Sequence, residues 1–533
     1  MGLLILLLAG LGRPAHAQGA QAAAAQPRFD IFEYEITGNT VLPVAVVEAA
    51  VTPFLGPGRS VADAEQARLA LEKAYQAAGY LSVLVDIPEQ RVDEGVVRLN
   101  VTEGRVERLA VTGARYFDQG VIRRGLPALA PGSVPNFNEL QQQLATLSRD
   151  ERQLQPVLRP GRTPGTVEAE IQVKDRLPLS ASVELNNNHA ADTDPLRLQA
   201  ALRYDNLFQR EHSLQLMWIT APREPKQSRV LSANYSAPLG GDWSLLAYGL
   251  WSDSVVEPLG VATVVGKGTT LGLRAIRQFS AAEGSHTVAF GADLKHLRER
   301  LTAGDDSLST PLRYLPFQLA YTGTWSGVRQ YTALNSQFVF AQRGLLGRNV
   351  ECPGTLGEDD QFACKREGGD GSFATWRAEL RHSAPAPLLP GTLSLRLAGQ
   401  LASQPLVSAE QYAIGGADTV RGYYEAEGSG DRGVLGSVEL RSSNLWPANS
   451  DSAPSFGLAE LALLVFADVA RVWIDQPSVG QAGRISLWSG GMGLRLRATR
   501  WLSADADVAW PQKATARTRE GDARWHLRLR AQF

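Results

Sequence analysis

The sequence predicts two small α+β modules followed by a 16-stranded antiparallel transmembrane β-barrel. Three observations carry that reading. A helix-and-strand order of about 75 residues occurs twice before residue 177. From Pro178 onward helical periodicity disappears, and alternating segments of about ten residues follow one another to Phe533. No apolar run approaches the roughly 18 residues that a membrane-crossing helix needs, so a crossing must be made by strands.

Composition narrows the function classes. The 533 residues are 44% hydrophobic and 20% charged, which excludes a disordered chain and a helical membrane protein. Lys plus Arg is 53 against 55 for Asp plus Glu, so no basic excess points to nucleic acid and no acidic tail is present. The seven histidines are scattered, without the spacing of a metal site. Gly428 to Gly433 satisfies G-x-G-x-x-G, but it lies in a loop before a strand and opens no helix. No G-x-S-x-G elbow occurs. Neither catalysis nor a cofactor nor a metal is expected.

The chain opens on an apolar run from Leu3 to Leu11 and an A-x-A-like site at Ala15-His16-Ala17, so 1–17 reads as a secretory signal peptide. The absence of Lys or Arg ahead of that run leaves open a start upstream of Met1. A short alanine-rich segment, 18–28, follows. In the first module, 29–103, Phe29 to Thr37 alternates as a strand and Pro43 to Val51 makes a short helix. Ser60 caps a second helix whose apolar face is Ala67, Leu71, Ala74, Tyr75 and Ala78, and Gly79 ends it. Leu81–Ile87 and Gly95–Val101 are two further strands. The second module, 104–177, repeats the plan with strands Val106–Val111, Leu154–Leu158 and Thr166–Val173. Its helices are Asp118–Gly125 and Asn138–Asp150.

The region 178–533 supplies sixteen alternating segments. Short turns, such as Leu207 to Arg210 and Pro238 to Asp242, alternate with long connections, such as 343–371 and 402–432. Short periplasmic turns against long extracellular loops is the asymmetry of an outer-membrane barrel. The connection 442–457 departs from it and makes the twelfth strand the least regular. On the last strand Trp525, Leu527, Leu529, Ala531 and Phe533 face one way, and His526, Arg528, Arg530 and Gln532 the other. Cys352 and Cys364 fall in one long polar connection, where one disulfide would suit an oxidising compartment and two free thiols remain the alternative.

The modules carry a resemblance. Ile36-Thr37-Gly38-Asn39-Thr40, Tyr75 with Gly79-Tyr80, Pro88-Glu89-Gln90 and Val101-Thr102-Glu103-Gly104 stand in an order that resembles polypeptide-transport-associated (POTRA) domains. The second module's exit, Arg159-Pro160-Gly161-Arg162-Thr163-Pro164-Gly165, is similar to that of two-partner secretion outer-membrane transporters (TpsB), the ShlB/FhaC/HecB type. Val420-Arg421-Gly422-Tyr423 matches that family's V-R-G-[YF] loop. Phe466 and Asp468 match the Phe and Asp of its F-x-D-x-G strand, while Ala470 stands where the family has Gly, which puts a local kink in question.

The resemblance implies periplasmic POTRA domains that take hold of an unfolded client and a barrel that secretes it, without nucleotide, across the bacterial outer membrane. The client it implies is a β-helical adhesin or cytolysin. Membrane lipid and the barrel-assembly machinery are the other implied partners, with Phe533 as the terminal sorting signal. Arg421 and Asp468 would hold the long loop in the pore. At an effective dielectric near 20 such a pair has roughly 4 kcal/mol of raw attraction before desolvation. The family's N-terminal plug helix finds little room in 18–28, so the loop is the expected plug. The competing readings are an outer-membrane assembly insertase of the same superfamily and a passive porin or receptor.

Overall fold

A computed structural model describes residues 28–533 except 93, 260–261, 282–283, 304–305, 348, 353–357, 388–389, 447–457, 479 and 499–500. The expected signal peptide, and the segment after it up to Gln26-Pro27, lie outside the described residues. One compact unit ends at Leu177 and a second runs from Pro178 to Phe533.

In the first unit, helix Val61–Ala77 starts where Asp63 accepts the Ser60 amide and hydroxyl, both at 2.8 Å. Its Ala64, Ala67, Leu71 and Tyr75 are buried in the core over the three-stranded sheet of Glu33–Thr37, Val96–Glu103 and Val83–Asp86. The Tyr75 hydroxyl donates to Asn39 Oδ1 at 2.6 Å, and burial pushes its pKa up to about 12. The expected strand Phe29–Thr37 is two strands. Arg28–Ile31 turns away to pair with Gly56–Ser60, and Glu33–Thr37 runs parallel to Val96–Glu103. Gly56-Pro57-Gly58 reads locally as a breaker, but an edge strand tolerates both residue types.

The second module repeats the plan. Arg105–Thr112 runs parallel to Thr166–Asp175, which pairs with Arg152–Pro160 on its other side. Helix Phe137–Leu147 begins at Asn136, whose side chain accepts the amides of Asn138 and Glu139. It ends at Leu147, three residues before the expected Asp150. There buried Arg152 folds back, donates from Nε to the Leu147 carbonyl at 2.9 Å, and lies 4.7 Å from the Phe117 ring centroid. A cation thereby satisfies a carbonyl left free by the helix end. The modules touch through Asn136 Nδ2 on the Ala78 carbonyl at 3.1 Å and the Phe137 amide on the Gly79 carbonyl at 2.8 Å.

The second unit is a closed antiparallel barrel of 16 strand positions. Strand 1 is Leu179–Asn186, strand 11 Gly391–Ala402 and strand 12 Arg432–Ser442. Strand 13 is Glu460–Trp473, strand 14 Arg484–Arg497, strand 15 Leu502–Pro511 and strand 16 Arg524–Gln532. Strand 16 closes on strand 1 from Arg528 opposite Asn186 to Gln532 opposite Ser182. Strand 8 is in two pieces, Asp306–Tyr314 and Phe317–Ser326, that share Gly284–Ala303 as neighbour. Leu315-Pro316 separates them, because proline has no N–H for the ladder. Strand 12 pairs along its length with both neighbours, so the least regular of the expected strands is a full member of the wall.

The two-residue period sorts the wall. On strand 13 Leu463, Val465 and Val469 are exposed outward while Leu464, Phe466, Asp468, Ala470 and Val472 are buried inward. Strand 13 also runs through Ala470 in unbroken register, opposite Leu435 and Leu487, so the departure from the family's glycine is accompanied by no bulge.

Candidate functional site

Between strands 11 and 12 the chain runs from Ser403 to Asp431 inside the second unit. Gly415 and Gly416 turn it with φ of 101° and 106°, and a Cβ on Gly416 would stand 2.2 Å from the Glu425 carboxyl. The Ala417 amide donates to Glu425 Oε1 at 2.9 Å, which closes the turn beneath the tip.

Val420, Arg421, Gly422 and Tyr423 form that tip, and it is buried. Arg421 meets Asp468 in a fork: Nε donates to Oδ2 at 2.8 Å and an Nη to Oδ1 at 3.0 Å. The Arg421 backbone amide adds a third donor to Oδ2 at 3.2 Å. The other Nη reaches Glu439 Oε2 at 3.1 Å and stands 3.5 Å from Asp507 Oδ2. Phe466 lies flat beneath, its ring centroid 3.3 Å from the guanidinium carbon. The family pair thus has a one-step spacing with a purpose: two residues apart on one strand, Phe466 supplies the ring face and Asp468 the charge.

Three residues that sequence reasoning passed over complete the cage. Ser437 on strand 12 donates to Asp468 Oδ1 at 2.6 Å, and Glu439 and Asp507 add charge from strands 12 and 15. Their signal was the inward parity of each strand, visible only once the strands are paired. His526 on strand 16 accepts the Gly422 amide at 2.9 Å. Tyr423 donates its hydroxyl toward the carbonyls of Lys513 and Trp488 at 2.9 and 3.1 Å. Gly422 has φ of 94°, and a Cβ there would stand 3.3 Å from Ala509 and Pro511. Val420 and Tyr423 share an apolar cluster with Ile414, Leu435, Ala470, Val472 and Leu487. Ala470 is thereby a filled place under the loop.

The base of the loop is fastened separately. Buried Glu410 receives Lys295 Nζ at 2.5 Å and the Tyr314 hydroxyl at 2.6 Å. Asp431 accepts the Leu406 and Asp475 amides at 2.9 and 2.7 Å. Cys352 and Cys364 are joined in the connection 341–373, with Cα atoms 5.5 Å apart. From that connection Arg366 reaches the Asp475 carbonyl at 2.6 Å, and Gln361 pairs with the backbone of Arg313 through two bonds of 2.8 Å. Phe533 ends the chain exposed, stacked on Trp501 at 6.3 Å. Among the described residues no group of three His, Cys, Asp or Glu side chains is placed to hold a metal ion.

A family model described as haemolysin secretion/activation protein ShlB/FhaC/HecB matches residues 165–496, and one described as POTRA domain, ShlB-type, matches 29–104. The outer membrane transporter CdiB of Dickeya dadantii (strain 3937) is 22% identical over 519 residues, covering 92% of this chain and 84% of its own. The solved structure of CdiB from Escherichia coli is similar with a TM-score of 0.59 at 18% identity, covering 96% of this chain and 92% of its own. BamA from Haemophilus ducreyi lacking POTRA domains 1-3 gives 0.57 at 15% identity, over 95% of this chain and 100% of its own. At these identities the structural likeness speaks for the fold alone.

Proposed function

Because the chain belongs to the haemolysin secretion/activation (ShlB/FhaC/HecB) family of two-partner secretion transporters, we propose that it exports an unfolded partner protein through a pore gated by its own loop. In this family the barrel stands in the outer membrane and the POTRA domains in the periplasm. The client is captured by the modules, whose sheets leave Val83–Asp86 and Arg152–Pro160 as edges where an extended segment adds as a further strand.

The single observation behind the gate is the fork of Arg421 on Asp468. A loop of this length loses much conformational entropy when it is seated in a pore. Charge-assisted, two-pronged contacts offset that loss while remaining exchangeable with water and other carboxylates. Glu439 and Asp507 are such carboxylates beside the same guanidinium. Passage of the client displaces the tip and leaves Arg421 a graded path of acceptors. The disulfide of Cys352 and Cys364 belongs to the same proposal, as a staple of the outer connection; a thiol-reactive label should not modify the unreduced protein.

The test is co-expression with a candidate large secreted protein, with assay of the medium. Export by the wild type and reduced export by Arg421→Ala are expected. Unchanged export by Arg421→Ala would sink the gate, and no export by the wild type would sink the client.

A further inference from the structure

A basic patch on the outer wall has no part in the gate. Strands 12, 13 and 14 lie side by side, and their register sets Arg432 opposite Trp473 and Trp473 opposite Arg484. Arg471 lies opposite Val434 and Ser486, one outward position farther down strand 13. These residues alternate with the inward Ala470, Val472 and Leu487, so all four face away from the lumen. Neighbouring strands are about 4.8 Å apart, which places Arg432 and Arg484 roughly 10 Å from each other across Trp473. Arg471 is diagonal to both, about 7–8 Å away.

The neighbouring outward residues fix the depth of the patch. Val434, Val469 and Trp488 are the next large ones along strands 12, 13 and 14, and each is about half exposed in an apolar band. The arginines therefore stand at the margin of that band, at the end of the barrel where the connections 403–431 and 474–483 lie. A tryptophan among cations at that level is the composition of a membrane interface.

The charge there is not cancelled. Arg432 is ion-paired with Asp475, and Arg471 donates to the Ser486 hydroxyl at 2.9 Å. The Arg484 side chain is exposed and makes no hydrogen bond or ion pair with the described residues. The opposite case is built into the same wall. Arg229 and Lys267 also point outward, but Asp253 is registered between them, with Lys267 Nζ at 2.8 Å. Where that patch has a carboxylate, strands 12 to 14 have Trp473.

We propose that Arg471 and Arg484, flanking Trp473, bind the phosphorylated headgroup of an outer-leaflet lipid. Guanidinium groups match phosphate oxygens in two-pronged geometry, and an unpaired cation at a bilayer surface draws anionic lipid. The indole holds the sugar and acyl region beside them. The patch spans strands 12 to 14, and strands 12 and 13 carry Ser437, Glu439 and Asp468 on their other face, so a bound lipid also braces the wall behind the seated loop.

The experiment is native mass spectrometry of the full-length protein in detergent, with bis-phosphorylated lipid A, its monophosphoryl form or sodium phosphate added. Retention of the bis-phosphorylated lipid should exceed that of the monophosphoryl form. Arg471→Gln with Arg484→Gln should weaken it on the order of tenfold or more, Arg471→Lys with Arg484→Lys should weaken it less because the charge stays while the two-pronged geometry is lost, and Arg229→Gln with Lys267→Gln should keep it. Equal retention by the glutamine pair, folded by its heat-dependent gel mobility, would overturn the proposal. Displacement of the lipid by an equal concentration of phosphate would also overturn it, by making the site one for a soluble anion. Should the glutamine pair not fold, equal retention of the two lipids by the wild type would be the contradicting result.

Discussion

The two N-terminal modules and the seated loop are held by opposite means. Each module encloses an apolar core, with Ile31, Leu71, Tyr75 and Leu99 fully buried in the first and Ile122, Leu126, Leu129 and Ile171 in the second. The loop tip has one guanidinium among three carboxylates, a histidine and a ring, with a smaller apolar cluster beside it. Apolar burial is undirected and has no substitute partner within reach. An ion pair inside a polar lumen can trade one carboxylate for another. The difference teaches that the first region is built to persist, whereas the second has the exchangeable contacts that the proposed release requires.

The largest effect is expected where the apolar rule is broken. Leu71→Ala removes a fully buried side chain and should lower the stability of the first module by about 2–5 kcal/mol, read as an early thermal transition. The barrel's heat-dependent gel mobility should stay as in the wild type. Asp468→Ala tests the polar side, because it leaves Arg421 buried with only Glu439 and Asp507. About 3 kcal/mol of loop seating should be lost, seen as protease cleavage within 403–431 of the folded barrel. Gly422→Ala puts a side chain at φ of 94° and against Ala509 and Pro511, and should weaken the same seating by about 1–3 kcal/mol.

Two smaller effects sharpen the contrast from the module side. Asn136→Ala removes a helix cap and the bond to Ala78, and should cost about 1 kcal/mol in thermal unfolding. Glu107 accepts from the Thr166 hydroxyl and from the Thr163 and Arg162 amides, which hold its carboxyl below the usual range. A depressed folded value means its contribution is present above the unfolded carboxylate pKa and fades as pH falls through the folded one. Melting temperatures should therefore fall on the acid side in the wild type and be less pH-dependent there in Glu107→Gln.

Most of the architecture was legible because strand alternation and helix caps are local signals. Ser60 and Asp118 stand immediately before their helices and Gly79 two residues past its own, and the inward parity of Phe466 and Asp468 follows from their spacing. The strand Gly56–Ser60 was not legible, since glycine and proline signal a turn and only pairing with Arg28–Ile31 makes it a strand. The rest of the Arg421 cage was hidden for the same reason. Ser437, Glu439, Asp507 and His526 come from three strands that are neighbours of the tip only after the barrel closes. Nothing along the chain marks Glu410 or Asp431 as fasteners, because Glu410 meets Lys295 and Tyr314 from 115 and 96 residues away and Asp431 accepts backbone amides.

Conductance across a planar bilayer bearing the purified protein tests the central claim most directly, since it needs no client. Wild type should be mostly closed, with brief openings. Arg421→Ala should open more often and to larger currents, because the tip has lost its hold on Asp468. Currents of equal size and frequency in the two proteins would contradict a pore closed by this loop.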